Sequence, residues 1–214
     1  MRPSPRIFLL SPARCGGPRT DVLVSPRATF PLAAQLRSPG APLGDVMTFL
    51  SGLYFRGKLA YARAFARPPR RVAAATGGGV LVITPHAGLV PADTLVTADI
   101  LAAAARVDIA ADNPGYREPL AADCRALAAS IGKTCDVVLL GSIASAKYVD
   151  VLDGILGARL RFPIDFVGRG DMSRGGLMLR CAREGRELTY VPVRGAIRHG
   201  VRPPKLPPLR YAAP

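Results

Sequence analysis

The sequence predicts an α/β fold: a single domain of three layers (α/β/α), in which helices cover both faces of a mostly parallel central sheet. Short apolar runs alternate with helical segments along the chain, as βαβ units require. The run at residues 137–140, Val-Val-Leu-Leu, has no polar face, which is typical of a strand buried on both sides. A chain of 214 residues with 49% hydrophobic residues also has the length and composition for one large core.

The elements are expected in the following order. Residues 7–10 form a first strand, and residues 25–44, rich in proline and glycine, form an irregular excursion. Asp45 can cap a helix over residues 46–66, which the following prolines stop. Further strands are predicted at 80–83, 137–140, 159–164 and 188–193, and further helices at 93–106, 119–131, 143–156 and 173–183. Residues 1–194 make the domain, and residues 195–214 make a basic, proline-rich C-terminal tail.

The charge of the chain points to a phosphate-bearing partner. The formal net charge is +14, from 29 Lys plus Arg against 15 Asp plus Glu, and only four of the 29 cations are lysines. A GC-rich genome would replace lysine by arginine, but it would not raise cations over anions. Arginine grips phosphate with a planar fork. A nucleotide or nucleic acid is therefore the expected partner, with an acidic protein as the alternative.

Cysteine usage and hydropathy indicate the compartment. The four cysteines are scattered without C-x-x-C spacing, which favours reduced thiols in the cytoplasm over a zinc site or a disulfide framework. No run approaches the roughly 20 apolar residues that span a bilayer, so no membrane partner is expected. The sequence requires no cofactor, and it predicts no metal site. Aspartates between residues 150 and 171 offer oxygen ligands for Mg²⁺, but no spacing demands it.

Loops that follow strands are the candidate sites, because ligands of doubly wound sheets bind outside the carboxyl ends of the strands. The loop after the first strand offers Ser11, Arg14, Cys15 and Gly16 to a phosphate. A nucleophilic Cys15 would need a pKa lowered by a cation such as Arg14. A buried structural thiol is the alternative.

The loop after the strand at 137–140 has the order glycine, hydroxyl residues, helix. This order presents backbone N–H groups and a helix dipole to an anion, so Gly141, Ser142, Ser145 and Lys147 are predicted to bind phosphate. The P-loop pattern is absent. Plain helix capping by Ser142 is the alternative.

The most distinctive loop covers residues 166–176. Arg169 is expected to bind the ligand, while Asp171, as a general base or water positioner, Ser173 and Arg174 are predicted to be catalytic. Capping of the following helix or pairing with Arg174 is the alternative for Asp171.

Two further features are a lone histidine and a basic helix. His86 follows the strand at 80–83 and can transfer protons near neutral pH, although a structural role is the alternative. Residues 54–71 contain no acid, and arginines interleaved with aromatic residues suit nucleic-acid backbones and stacked bases. The predicted nucleic-acid surface comprises Tyr54, Arg56, Lys58, Arg63 and Arg67. A solvated helix face with its aromatics in the core is the alternative.

Three segments occur in an order that resembles a known family. They are the first strand with its Ser/Cys loop, the block at residues 51–62 (SGLYFRGKLAYA) and the strand with its loop at 83–91 (ITPHAGLVP). Together they resemble a bacterial and phage family of uncharacterised proteins and, more distantly, the uracil-DNA-glycosylase-like part of archaeosine synthases. The likeness covers roughly residues 7–150. It implies a three-layer α/β fold and a link to nucleobase or nucleic-acid chemistry.

This chain departs from that pattern at two places. Glycine and proline around Arg14 and Arg19 stand where lysines are expected after the cysteine, and the segment at 168–176 has no counterpart. No catalytic role is therefore transferred from the family. The sequence leaves two functions open: an enzyme of nucleotide or nucleic-acid metabolism, a hydrolase or transferase acting at a nucleobase or glycosidic bond, or a non-catalytic nucleic-acid-binding module.

Overall fold

Strands and helices alternate through most of the chain. The computed structural model describes residues 4–144, 146–204 and 206. The strands are β1 Arg6–Leu10, β2 Ala41–Pro42, β3 Val80–Ile83, β4 Leu89–Pro91, β5 Leu95–Val96, β6 Asp136–Leu140, β7 Leu160–Pro163 and β8 Tyr190–Pro192. The α-helices are α1 Pro18–Val24, α2 Pro31–Arg37, α3 Leu43–Ser51, α4 Leu53–Phe65, α5 Ala98–Ala105, α6 Pro114–Ser130, α7 Ala146–Leu156 and α8 Asp171–Glu184. Short 3-10 turns occur at Arg70–Val72, Gly77–Gly79, Gly157–Arg159 and Ile164–Phe166.

The central sheet has six strands in the order β4-β3-β1-β6-β7-β8. The four inner strands are parallel, and β4 and β8 are added antiparallel at the two edges. Two very short strands, β2 and β5, form a separate antiparallel pair. The predicted three-layer α/β fold with a mostly parallel sheet is confirmed.

Two apolar layers lie on opposite faces of the sheet because side chains alternate along each strand. On β1, Phe8 and Leu10 pack with helices α1 to α5 and α8, whereas Ile7 and Leu9 pack with α6 and α7. All five residues of β1 are buried. This double burial explains why the inner strands read as unbroken apolar runs.

The helix predicted over residues 46–66 is in fact two helices. The chain breaks at Gly52, whose φ of 65° lies in the left-handed region that favours glycine. The Arg19 Nη1 donates hydrogen bonds to the carbonyls of Phe49 and Leu50, at 3.2 and 3.3 Å. These carbonyls at the end of α3 would otherwise lack partners. A side chain more than 30 positions away therefore stabilises the break, and Arg19 has a structural role.

Other boundaries differ where prolines begin helices. The stretch at 25–44, predicted to be irregular, contains α2, which begins at Pro31. The helix predicted at 119–131 is α6, which begins earlier, at Pro114: the Asn113 side chain accepts a hydrogen bond from Gly115 N at 3.0 Å, and Pro114 occupies the first turn. Proline fits there because its missing N–H would have no partner within the helix.

The amino-terminal edge of the sheet is held by a buried charge network. Arg6, at the start of β1, is 8% exposed and forms an ion pair with Glu187. It also lies 3.9 Å from Asp136 and stacks over the Tyr190 ring, 4.5 Å from its centroid. The hydroxyls of Tyr61 and Tyr190 are 2.5 Å apart beside this network. Glu187 additionally binds Arg67 at 2.6 Å.

None of the helices in the described ranges is long and apolar enough to cross a membrane. Residues 195–204 of the predicted tail form no helix or strand. Lys205 and residues 207–214 lie outside the described residues.

We predict that Glu187→Ala lowers the free energy of unfolding by about 3 kcal/mol, because it leaves the buried Arg6 guanidinium with only the more distant Asp136. Urea unfolding measures the change. Glu184→Ala is the matched control: its ion pair with Arg186 is exposed and should cost less than about 1 kcal/mol. Equal losses in the two variants would contradict a special role for the Arg6 network.

Candidate active site

The carboxyl ends of β1 and β6 meet at the centre of the sheet. The chain passes from β1 to β3 on one side and later to β6 on the other side of β1. Such a reversal of strand order opens a crevice at the carboxyl edge, where open α/β sheets bind ligands. Ser11 and Gly141 are the first residues after β1 and β6, and Ser11 N donates to the Leu140 carbonyl at 3.2 Å.

A buried lysine points to this edge from α4. Lys58 is 2% exposed, and its Nζ donates hydrogen bonds to the backbone oxygen of Ser11 at 3.0 Å and to Ser11 Oγ at 2.7 Å. The ammonium also lies over the Tyr54 ring, 3.9 Å from its centroid. No carboxylate within the described chain forms an ion pair with it at close range. A charged lysine is seldom found in such surroundings unless it is paired.

Burial lowers the pKa of Lys58 to about 7, from an ordinary value of 10.5. The charge of Asp171 opposes this shift, and the charge of Arg174 adds to it. Near neutral pH a large share of the amine is therefore uncharged and can accept a proton. The Ser11 hydroxyl, 2.7 Å away, lies within range of a direct proton transfer.

Tyr148 reaches the same point from the opposite layer. Its hydroxyl, on α7, donates to the Ser142 carbonyl at 2.8 Å and is hydrogen bonded to the Ser11 side chain. Burial raises the pKa of Tyr148, which keeps the hydroxyl protonated. A Cβ on Gly141 would lie 2.8 Å from Ser11 Cβ and 2.9 Å from the Tyr148 hydroxyl, so only glycine leaves room here. We call Ser11, Lys58 and Tyr148 the Ser11 cluster.

Two glycines bring α8 against α4 beside the cluster. A Cβ on Gly57 would lie 2.5 Å from the Gly175 oxygen, and a Cβ on Gly175 would lie 2.7 Å from the Leu53 oxygen. This backbone contact places the first turn of α8 next to Tyr54 and Lys58. Arg174, in that turn, donates to the Phe166 carbonyl at 3.1 and 3.2 Å.

The charge of Arg174 acts on the buried tyrosine of α4. Burial raises the pKa of Tyr54, and Arg174 opposes this increase. The Tyr54 hydroxyl is buried and makes no hydrogen bond of normal geometry to the described residues. It is therefore a polar group with unused bonding capacity beside the Ser11 cluster.

Open space lies along the loop after β1, next to the residues that follow Ser11 in the chain. A cleft of about 580 Å³ is lined by the segment 12–16, by residues 104–109 and by Lys147. A second cavity of about 290 Å³ lies beside it, with almost entirely apolar walls and His86 among its lining residues. The two share Pro85 and Ala104.

The structure brings some predicted residues together and separates others. Ser11 and Gly141 are adjacent, and Arg174 lines a small cavity with Gly141. Arg14, Cys15, Gly16 and Lys147 instead line the large cleft. The remaining groups, Asp171, Ser173 and Arg169, lie along the start of α8 and the turn before it.

Asp171, the predicted carboxylate, is largely in solvent. Its side chain is 66% exposed, and it lies 3.6 Å from Arg174, as the helix-pairing alternative expected. Ser173 Oγ accepts a hydrogen bond from Arg169 Nη1 at 3.3 Å. Asp171 and Arg174 reach the Ser11 cluster through their charges, which shift the pKa of Lys58.

The predicted nucleic-acid surface on α4 is partly wrong. Tyr54 and Lys58 are buried, because both lie on the face of α4 that packs into the core. Arg63 forms an ion pair with Asp93 at 2.5 Å, and Arg67 forms one with Glu187 at 2.6 Å. Carboxylates from distant segments therefore neutralise two of the predicted nucleic-acid-binding cations. Arg56 is exposed, as predicted.

The pKa of the loop cysteine is raised, whereas a nucleophilic thiol requires a lowered pKa. Cys15 is 4% exposed, and burial raises the pKa of its thiol to about 11. Its Sγ donates to the Ala13 carbonyl at 3.6 Å. Ser142 Oγ accepts a hydrogen bond from Ala144 N at 3.3 Å, within its own turn. Ser145 lies outside the described residues, so its predicted role stays a prediction.

Sequence reasoning missed Tyr148 and the true position of Lys58. A signal for Lys58 was present: it lies four residues after Tyr54 and three before Tyr61, on the apolar stripe of an amphipathic helix. A charge on that stripe indicates a buried polar site. Among the described residues, no group of three or more His, Cys, Asp or Glu side chains is arranged to hold a metal ion.

Comparisons with protein-family models, curated proteins and solved structures found no match for this chain.

We predict that Gly175→Ala lowers the free energy of unfolding by about 2 kcal/mol, since the added methyl group must push α8 away from the Leu53 carbonyl. Gly154→Ala, within α7, is the matched control because nothing lies within 4 Å of the added carbon. Its helix propensity should leave stability unchanged or raise it by up to about 1 kcal/mol. Denaturant unfolding of both variants distinguishes crowding from propensity, and similar effects would contradict the tight contact.

The lowered pKa of Lys58 predicts a pH dependence of stability. The unfolded chain keeps the lysine proton up to about pH 10.5, whereas the folded chain releases it near pH 7. Between these values the unfolded state binds more protons, so the contribution of Lys58 to the free energy of unfolding rises with pH. Lys58→Met should remove that contribution.

Urea melts of both proteins between about pH 7 and pH 9 measure the difference. The comparison with the variant is needed because burial also raises the pKa values of the cysteines. As the thiols of the unfolded chain begin to ionise, the cysteines lower the free energy of unfolding with rising pH, which is opposite to the effect of Lys58. Parallel stability profiles would show that Lys58 has an ordinary pKa.

Proposed function

We propose that this chain is an enzyme of nucleotide or nucleic-acid metabolism, and that the Ser11 cluster performs its chemistry at a nucleobase or glycosidic bond. The observation that carries the proposal is the buried Lys58 amine, 2.7 Å from Ser11 Oγ at the reversal of strand order. A lysine with a pKa near neutrality is a suitable base for a serine hydroxyl.

The reaction would be a hydrolysis or group transfer that begins with proton transfer. The neutral Lys58 amine takes the proton of Ser11 Oγ as this oxygen attacks the carbon of the bond to be broken. The resulting ammonium gives the proton to the leaving group, and Ser11 stays bonded to the substrate carbon. Water, or the acceptor in a group transfer, then attacks this carbon while Lys58 takes its proton. Lys58 passes that proton to Ser11 Oγ as the bond to Ser11 breaks, so both residues are restored. The Tyr148 hydroxyl, which stays protonated, donates to the Ser142 carbonyl and so holds the loop after β6 beside the attacking oxygen.

Charge supports a phosphate-bearing substrate. The chain carries a net charge of +14, and Arg14, Arg106 and Lys147 line the cleft after β1. Arg174 adds a cation next to Gly141, while its Asp171 partner stays at the surface. Cations at the carboxyl edge would bind phosphate close to the Ser11 cluster.

The non-catalytic alternative is a nucleic-acid-binding module. A groove of about 340 Å³ along α8, lined by Arg169, Arg180 and Arg202, would suit a phosphate backbone. This alternative predicts binding that weakens steeply with salt. It assigns no role to a buried amine held against a serine hydroxyl, which is why the enzyme is favoured.

The proposal predicts that Ser11→Ala and Lys58→Met each reduce turnover by about 10²-fold or more. The assay incubates the protein with nucleosides, nucleotides and short RNA and DNA, and detects products by mass spectrometry. Lys133→Met, at an exposed position, is the control and should keep full activity. Asp171→Asn should change activity less than Lys58→Met, because Asp171 acts only through its charge.

Thermal melts establish that each variant is folded. Full activity in both Ser11→Ala and Lys58→Met would overturn the proposed mechanism. Absence of turnover, together with oligonucleotide binding that is lost at moderate salt, would instead support the binding module.

A further inference from the structure

Two neighbouring cavities lie beside the loops that follow β1 and β3. The first is apolar, about 290 Å³, and the second is the cationic cleft of about 580 Å³. Pro85 and Ala104 line both, so the two cavities lie side by side. Their sizes are in the range of small-molecule pockets, roughly 300–1,000 Å³. Their walls differ in chemistry, which constrains the ligand.

Few polar side chains line the apolar cavity. Met47 and Leu101 contribute to its walls, and Leu95 and Ile100 lie at its rim with 51% and 41% of their surfaces exposed. The hydroxyl of Thr84 is already used, because it donates to the Gly88 carbonyl and accepts from Ala87 N.

His86 is different. Its Nδ1 is buried and has no hydrogen-bond partner among the described residues. The His86 side chain also lines the otherwise apolar cavity, where an imidazole can form a hydrogen bond with one polar atom on the edge of a flat ring whose faces contact the apolar walls.

The cationic cleft carries the charge for an anionic group. Arg14, Arg106 and Lys147 line it, with Asp108 as an opposing carboxylate. Arg14 and Arg106 are exposed and available to an arriving anion. Lys147 lies in the first turn of the 11-residue helix α7, where the helix dipole adds to its positive charge. Gly16 lets the loop backbone approach the ligand.

We infer that the two cavities form one site for a mononucleotide, with its heterocyclic ring beside His86 and its phosphate beside Arg14. This inference rests on the proposed function and deepens it by naming the substrate class. A polynucleotide backbone alone would leave the apolar cavity empty. A free base or nucleoside would leave the cationic cleft empty. A nucleoside monophosphate matches both.

Binding is measured by isothermal titration calorimetry with the four ribonucleoside 5′-monophosphates, the corresponding nucleosides and inorganic phosphate. The Ser11→Ala variant is used, so that turnover does not interfere. At least one monophosphate should bind about tenfold or more tightly than both its nucleoside and phosphate, since it gains from both compartments. If inorganic phosphate binds as tightly as every monophosphate, the inference of a two-compartment site is overturned.

Two variants, each with a matched control, test which cavity binds the phosphate and which binds the ring. Arg14→Ala should weaken monophosphate binding about tenfold without changing nucleoside binding, whereas Arg27→Ala, at an exposed position in the turn after α1, should change neither. Ile100→Trp should crowd the rim and weaken both ring-bearing ligands about tenfold, whereas Ala102→Trp, exposed on the same helix, should not. No effect from Arg14→Ala and Ile100→Trp would place the ligand elsewhere and overturn the inference.

The outcomes also separate this inference from the proposed function. Turnover that depends on Lys58 but is indifferent to Arg14 and Ile100 would overturn the two-compartment site and leave the enzyme proposal standing. Monophosphate binding that follows the Arg14 and Ile100 pattern, with no turnover by the unmodified chain, would support the site and count against the catalytic role of the Ser11 cluster.

Discussion

The contact between the Lys58 amine and Ser11 is the constraint on which the centre of this molecule depends. A lysine amine removed from water must form hydrogen bonds or lose its charge. The Lys58 amine donates two hydrogen bonds to Ser11, and burial lowers its pKa, which favours the uncharged form. Its partner is the first residue beyond the central strand, so the contact fixes α4 against the carboxyl edge of the sheet. Tyr148 closes the same point from the other layer. Three segments far apart in sequence therefore meet at one polar centre between two apolar layers.

The two edges of the sheet are organised differently. At the amino-terminal edge, Arg6 is surrounded by carboxylates and tyrosines that satisfy its charge, so the network there stabilises the fold. At the carboxyl edge, no carboxylate in the described part of the chain forms an ion pair with Lys58, and burial favours its uncharged form. A folded protein gains nothing in stability from a polar group left in this state. That contrast supports the proposed active site at the carboxyl edge.

Most of the sheet could be predicted from the sequence because buried parallel strands are unbroken apolar runs, and their helices follow from periodicity. The break at Gly52 could not, since the capping guanidinium of Arg19 comes from a distant loop. Ser11 and Gly141 were recognised as neighbours of strand ends. Lys58 carried a readable signal, a charge on an apolar stripe, but its partners depend on strand order. Tyr148 gave no signal at all, because a tyrosine on a buried helix face is ordinary.

The first turn of α8 connects surface charge to the buried amine. Arg174 favours the neutral form of Lys58 and Asp171 favours the protonated form, and both are held near it by the contact between Gly57 and Gly175. Because the pKa of Lys58 is about 7, the amine is near its midpoint at neutral pH, where a modest change in nearby charge alters its protonation most. A bound phosphate would act in the same direction as Asp171. Arg174, by contrast, favours the neutral amine, which is the form that the proposed mechanism needs as its base.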